Sequence, residues 1–227
     1  GNVSAATTTS FTMSVYEGFN YPVGAIGDGV TAGELNLAGA IEVFNSDAKT
    51  TLAQGNINAG NVWETTSRLY NRSFSIAWTI EQSNFGYPGC SIQWDTNAAT
   101  VGQGSGACGR VEDARVPYAI NIGGVNFGTR WRTATLYANN VLASALEELV
   151  FELDRFNPMW YFWLDYDHQN SRFKLYISQS NSKPATPAKQ YENIVFTATP
   201  YHIGIGGSAY NVTGYEQTLK AWSLTLL

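Results

Sequence analysis

The stretch at residues 159–178, MWYFWLDYDHQNSRFKLYIS, constrains the fold of this chain more than any other. Its first arm places Trp160, Phe162, Leu164 and Tyr166 on one face and Tyr161, Trp163 and Asp165 on the other. Its second arm alternates Phe173, Leu175 and Ile177 against Lys174, Tyr176 and Ser178. Alternation with period two, in aromatic and aliphatic residues, is the pattern of a half-buried strand. Between the arms, Asp167-His168-Gln169-Asn170-Ser171 supplies side chains that hydrogen-bond their own backbone or tolerate positive φ, so a hairpin is predicted. A lone hairpin cannot bury so many large aromatics, and a second layer must cover them. The stretch therefore predicts the core of a β-sandwich.

Other segments agree. Residues 34–44 (core candidates Leu35, Leu37, Ile41 and Val43), 61–69, 73–80, 118–127, 133–137, 201–206 and 219–226 read as strands, and 88–109 as a strand followed by a glycine-rich loop. Short strands joined by turn residues argue for an antiparallel, all-β sandwich. Residues 138–153 are the exception: Val141, Leu142, Ala145, Leu146, Leu149, Val150 and Leu153 recur at helical spacing and predict one short helix within 143–149. Residues 179–190 carry two prolines and predict a mobile loop. With no fixed-period repeat and no linker, one domain over residues 1–227 is expected, residues 1–33 being an N-terminal extension or edge segment.

Composition removes several function classes. Charged residues are 14% of the chain, against about 25% in an average globular protein. A net charge of −5 with 13 Lys and Arg gives no footprint for nucleic acid or anionic lipid. No apolar run reaches the length of about 18 residues that spans a membrane. The opening GNVSAATTTS has neither a basic start nor an apolar stretch, so no signal peptide is expected. Removal of a leader, an internal piece, or exit by another route, as for virion proteins, all fit. The two cysteines, Cys90 and Cys108, leave open a disulfide worth about 3 kcal/mol in the chain-entropy model or two separate thiols. They lack the spacing of a zinc site.

The end of the chain, GIGGSAYNVTGYEQTLKAWSLTL, resembles the end of legume-type (L-type) lectins, where a Gly-Phe-Ser-Ala-x-Thr-Gly loop precedes Glu and a Trp-Ser-Phe strand. The matching pieces are Gly207-Ser208-Ala209, Thr213-Gly214, Glu216 and Trp222-Ser223-Leu224. Trp163-Leu164-Asp165-Tyr166-Asp167 with Phe173-Lys174-Leu175-Tyr176-Ile177 is similar to the family's Trp-Ile-Asp-Tyr-Asp…Leu-x-Val hairpin. Glu34-Leu35-Asn36-Leu37-Ala38-Gly39-Ala40, Ala59-Gly60-Asn61-Val62-Trp63 and Phe74-Ser75-Ile76-Ala77-Trp78 follow its early strands in order. Glu17-Gly18-Phe19-Asn20-Tyr21-Pro22 resembles the start of bacterial and phage proteins of this type. The resemblance implies a concanavalin A-like jelly roll over residues 34–227.

The departures bear on chemistry. Tyr87-Pro88-Gly89 stands where the family has Ala-Asp-Gly, which removes the carboxylate that accepts sugar hydroxyls. Residues 102–109, GQGSGACG, match the family's glycine-rich loop. Tyr118-Ala119-Ile120-Asn121-Ile122 then takes the place of the metal strand and carries no acid; a rival alignment puts Gln93-Trp94-Asp95-Thr96-Asn97 there. The metal ligands stay unassigned, with no cofactor expected and calcium the one cation left to test. Asp165 and Asp167 share a strand face and offer oxygen ligands, although acids at a turn are more often solvated. Asp95-Thr96-Asn97 offers a cation or sugar ligand set or, more often, a turn ending a strand.

Retaining glycoside hydrolysis needs two carboxylates about 5–5.5 Å apart, which alternate strand positions supply. Glu152-Leu153-Asp154 begins such a motif, but Phe156 stands where the second Glu is needed; Glu112 and Asp113 are adjacent. His168 and His202 have no nucleophile nearby in sequence, so no triad is read. The chain is expected to be non-catalytic.

With 7 Trp, 13 Tyr and 11 Phe, one core cannot take every aromatic. Tyr and Trp combine an apolar face with a polar tip and suit stacking on sugar rings. The expected carbohydrate site is a rim wall built from Gly104, Gly106, Asn126, Tyr210 and Asn211, with Trp94 either beside it or in the core. The expected partner is a glycan or cell-surface polysaccharide, met outside the cell or on a virion surface. The alternative is a structural virion module that contacts other proteins, or its own copies, through the same fold.

Overall fold

A computed structural model describes residues 7–15, 41–44, 49–52, 55–64, 67–82, 89–96, 108, 110–123, 133–144, 157, 159–210 and 217–227; for those up to 64, and for 81–82, 207–210, 217–220 and 222, it describes the backbone alone. In chain order the strands are β1 (Thr7–Val15), β2 (Ile41–Phe44), β3 (Lys49–Leu52), β4 (Gly55–Glu64), β5 (Arg68–Leu69), β6 (Phe74–Gln82), β7 (Gly89–Asp95), β8 (Tyr118–Gly123), β9 (Ala134–Ala138), β10 (Val141–Leu142), β11 (Met159–Asp167), β12 (Arg172–Ser178), β13 (Lys189–Tyr191), β14 (Pro200–Tyr210) and β15 (Gln217–Leu226). They form two antiparallel sheets. One has six strands in the order β1-β15-β6-β11-β12-β13; the other has nine, along β10-β9-β8-β7-β14-β4-β2, with β3 beside β4 and β5 beside β14.

The hairpin that leads the sequence argument is β11–β12. On β11, Trp160, Phe162, Leu164 and Tyr166 are buried and the residues between them are half-buried. The turn residue Ser171 takes φ of 52°, and Asp167 accepts hydrogen bonds from the backbone and side-chain nitrogens of Asn170. Those Asn170 contacts hold the Asp167 carboxyl below its usual range. β6 repeats the alternation, burying Phe74, Ile76, Trp78 and Ile80. The N-terminal segment supplies β1, an edge strand of the six-stranded sheet with Thr7 opposite Leu226.

One end of the sandwich is closed by an aromatic cluster. Trp94, at the end of β7, stacks on Phe173 of the opposite sheet, with ring centroids 5.5 Å apart and planes at 13°. Phe196, from the irregular segment between β13 and β14, meets Trp94, Tyr118, Tyr166 and Phe173 edge-on. The segment is tied down by the Tyr166 hydroxyl, which donates to the Ile194 carbonyl at 2.9 Å, and by Tyr118, whose hydroxyl accepts from the Val195 amide at 2.8 Å.

Two sequence expectations change, and a third falls largely outside the described residues. The short helix expected within 143–149 lies almost wholly outside the described residues; ahead of it, Asn139 and Asn140 (φ 49° and 64°) form a two-residue turn and Val141–Leu142 returns as β10. Two consecutive positive φ values are what a tight hairpin between twisted strands requires; residues 145–156 lie outside the described ones. Residues 179–190 are pinned: the Lys183 ammonium pairs with Asp165 at 2.7 Å and sits 4.5 Å above the Tyr176 ring.

The disulfide weighed between Cys90 and Cys108 is not formed; both are buried free thiols. Cys90 joins the interior cluster with Ile92 and Trp94. Cys108 lies on the side to which Ser91 points, its carbonyl accepting from the Ser91 hydroxyl at 2.8 Å. Burial first, then the nearness of Cys108, pushes the Cys90 thiol well above its usual range. Thiolate is the reactive form. The native protein at pH 8 is therefore expected to leave both thiols unreacted toward a chromogenic disulfide reagent, and unfolding without reductant to release both. No thiol on unfolding would instead show a bridge.

Candidate functional site: a strand rim and its strap

Every residue of β7 is buried, including Ser91, Gln93 and Asp95, which point away from the interior. Their cover is a strap made of Cys108 and residues 110–116, which runs lengthwise along the outer face of the strand. It starts at Cys108, held by Ser91, and continues to Val111, whose amide donates to Gln93 Oε1 at 2.7 Å. It ends at Arg115, whose Nε lies 2.9 Å from Asp95 Oδ1 and 3.2 Å from Oδ2. Arg115 also pairs with Asp113, and Arg110 pairs with Glu112 while its guanidinium lies 3.7 Å from the centre of the Tyr137 ring. The strap's own Val111 and Val116 pack with Ala119 of β8 and against Tyr137. A wholly buried Asp95 carboxylate is tolerable only because a cation and hydrogen bonds replace its water.

The strap begins at a rim where three strand ends meet. Ser208 near the end of β14 is in register with Gly89 at the start of β7, and Gly89 with Gly123 at the end of β8. The Cys108 thiol donates weakly to the Ile122 and Gly123 carbonyls, and the Gly123 amide donates to the Thr133 carbonyl at 2.7 Å. Gly123 takes φ of 82° and Cys108 of 64°, both in the left-handed region. Beside this corner, on neighbouring strands, Asn121 Oδ1 and Thr135 Oγ1 are buried without a hydrogen-bond partner.

This geometry sorts the sequence candidates. Tyr210 ends β14 at the rim, opposite Ile57 of β4. Gly104, Gly106, Asn126 and Asn211 lie outside the described residues, as do Tyr87, Pro88, Asn97, Glu152 and Asp154. Trp94 belongs to the core at the far end of β7, about 17 Å along the strand from Gly89. Glu112 and Asp113 are each engaged by an arginine of the strap. Asp165 accepts from the Ser75 hydroxyl as well as from Lys183, and His168 meets Tyr166 and, through its amide, Ser73.

Among the described residues no three of His, Cys, Asp and Glu converge to hold a metal ion. Neutral Ala119 and Asn121 face outward on β8, and Asp95 is committed to Arg115, so the donors among the described residues do not fit a divalent cation. Sequence reading missed the strap. Its signal was RVEDAR at 110–115, four charges in six residues of a charge-poor chain.

Among solved structures the chain is similar to the Emp47p carbohydrate recognition domain, at 13% identity over 84% of each chain and a TM-score of 0.56. It is similar to lectin II from Ulex europaeus at 8% identity, covering 98% of this chain and 99% of that one, with a TM-score of 0.55. The fold is that of the legume-type lectins. A third structure with this lectin fold, winged bean acidic lectin complexed with methyl-α-D-galactose, matches at 11% identity over 96% of this chain and 98% of that one, with a TM-score of 0.53. No family model matches the chain, and no curated protein is similar to it in sequence. No helix among the described residues is long and apolar enough to cross a membrane.

Proposed function

We propose that this protein is a non-catalytic, carbohydrate-binding module whose site lies at the Gly89–Gly123–Ser208 rim and works without a metal ion. The observation that carries the reading is the convergence of those three strand ends, in a lectin fold, at a corner fixed by Cys108 and the strap. The chain segments that leave this corner contain Gly104, Gly106, Asn126 and Asn211, and Tyr210 closes β14 beside them. In this reading they form the wall, binding hydroxyls through backbone and amide groups and a ring face through the tyrosine. The buried Asn121 and Thr135 oxygens add unspent hydrogen-bonding capacity next to it. Arg115 gives the strap an internal cation, so loop order does not call for calcium.

A glycan array run with calcium and again with a chelator tests this. Binding that is equal in both is expected, and Tyr210→Ala is expected to weaken the strongest hit about tenfold, or ~1.4 kcal/mol. Loss of all hits on chelation would overturn the metal-free reading. An array blank in both conditions would turn the module toward protein–protein contact at a surface or on a particle.

A further inference from the structure

The outer face of the six-stranded sheet carries a second feature, unconnected with the rim. Its outward residues are small on two neighbouring strands: Ser75, Ala77 and Thr79 on β6, and Ala221, Ser223 and Thr225 on β15. The next strand, β11, turns two large aromatics to the same side, with Tyr161 opposite Thr79 and Trp163 opposite Ala77. Large residues beside small ones make a step in the surface, and the result is a cleft of about 210 Å³ lined by Ala77, Thr79, Tyr161, Trp163, Ser223 and Asn181. The two aromatic rings are nearly parallel, at 19°, with centroids 6.4 Å apart. Asn181 comes from the loop that Lys183 pins to Asp165 and Tyr176, so its approach to the cleft is fixed.

We propose that this cleft is a saccharide subsite. Pocket volumes of about 300–1,000 Å³ suit drug-sized ligands, and this smaller one suits a single ring. The indole and phenol faces carry partial negative charge and attract the C–H face of a pyranose. Thr79 and Ser223 hydroxyls and the Asn181 amide both donate and accept, as sugar hydroxyls do. No charged side chain lines the cleft among the described residues, and Asp165 at its edge is satisfied by Lys183 and Ser75. A charged ligand would find no counter-charge there, and an alkyl ligand would desolvate the hydroxyls without return. The ligand class is a neutral sugar ring, terminal or within a chain.

The test follows the Trp163 indole N–H resonance, assigned through Trp163→Phe, while cellohexaose, maltohexaose and methyl α-D-galactoside are titrated into the labelled full chain. A saturable shift with at least one of them is expected. It should be unchanged in Tyr210→Ala, so that this site stands or falls apart from the rim, and should weaken about tenfold in Trp163→Ala, equivalent to ~1.4 kcal/mol. Should Trp163→Ala fail to fold, Asn181→Ala, at an exposed loop position, is expected to weaken binding in its place. No shift with any of the three sugars would overturn the proposal. So would a shift that follows protein concentration alone, which would show a second copy of the chain covering this face.

Discussion

Trp94→Ala is expected to destabilise the protein by about 3–5 kcal/mol, as for other fully buried large aromatics. Trp94 is fully buried, stacks on Phe173 across the two sheets, and meets Tyr70 and Phe196 edge-on. Removing the indole opens a void at the point where β7, β12 and the 192–199 segment meet, and rings locked by their own neighbours cannot collapse into it. Trp94→Phe should cost much less. It keeps a ring against Phe173 and removes an indole N–H that is buried without a partner. Denaturant unfolding reads the difference as a fall in midpoint at constant slope. Equal losses for the two variants would mean that the full indole, and not merely a ring against Phe173, is needed to fill this end.

Arg115→Leu is expected to cost about 3 kcal/mol, the lower end of the range for breaking a buried pair. The lower end applies because the Arg115 side chain is 32% exposed and water can follow its removal, whereas Asp95 is 0% exposed and cannot move out to meet it. The loss comes mainly from stranding the carboxylate. Asp95→Leu combined with Arg115→Leu should therefore recover most of it, since a pair replaced by apolar groups is often neutral. A double-mutant cycle separates the coupling from the two single effects. An Arg115→Leu variant as stable as the parent would show that the strap does not depend on this cation.

Local pattern was legible in the sequence wherever a strand faces the core on one side. β6 and β11 announced themselves, with Phe74, Ile76, Trp78 and Ile80, and Trp160, Phe162, Leu164 and Tyr166, buried as their alternation predicts. The order of the family-like pieces pointed to the right sandwich. Partners distant in sequence were not legible: nothing local at Asp95 tells that its carboxylate will be claimed by Arg115, or that Trp94 will stack on Phe173 rather than face a ligand. Val141 and Leu142 match either period, and the Asn139-Asn140 pair was the guide to the hairpin there. Tyr161 and Trp163 were visible as aromatics on the supposedly polar face of β11. Only the register, which sets small residues of β6 beside them, turns that oddity into a cleft. For the rim, the sequence named residues, and the strand ends tell where their segments depart.

The strand order also has a consequence for how the chain reaches its native state. The last two strands of the sequence lie inside the sheets, not at their edges: β14 between β7 and β4, and β15 between β1 and β6. Among the described strands, residues 7–15 pair only with residues 217–226. On the ribosome, β6, β11, β12 and β13 can pair among themselves, as can β7 to β10, and β2 and β3 with β4, but β14 must arrive to join the last two groups and β15 to seat β1. Contacts so remote in sequence put this protein among slow folders, at roughly milliseconds to seconds. During synthesis the hazard is association between the waiting edges of neighbouring chains, and a chain stopped short of β14 would leave the nine-stranded sheet in two pieces and β1 without the strand that joins it to β6.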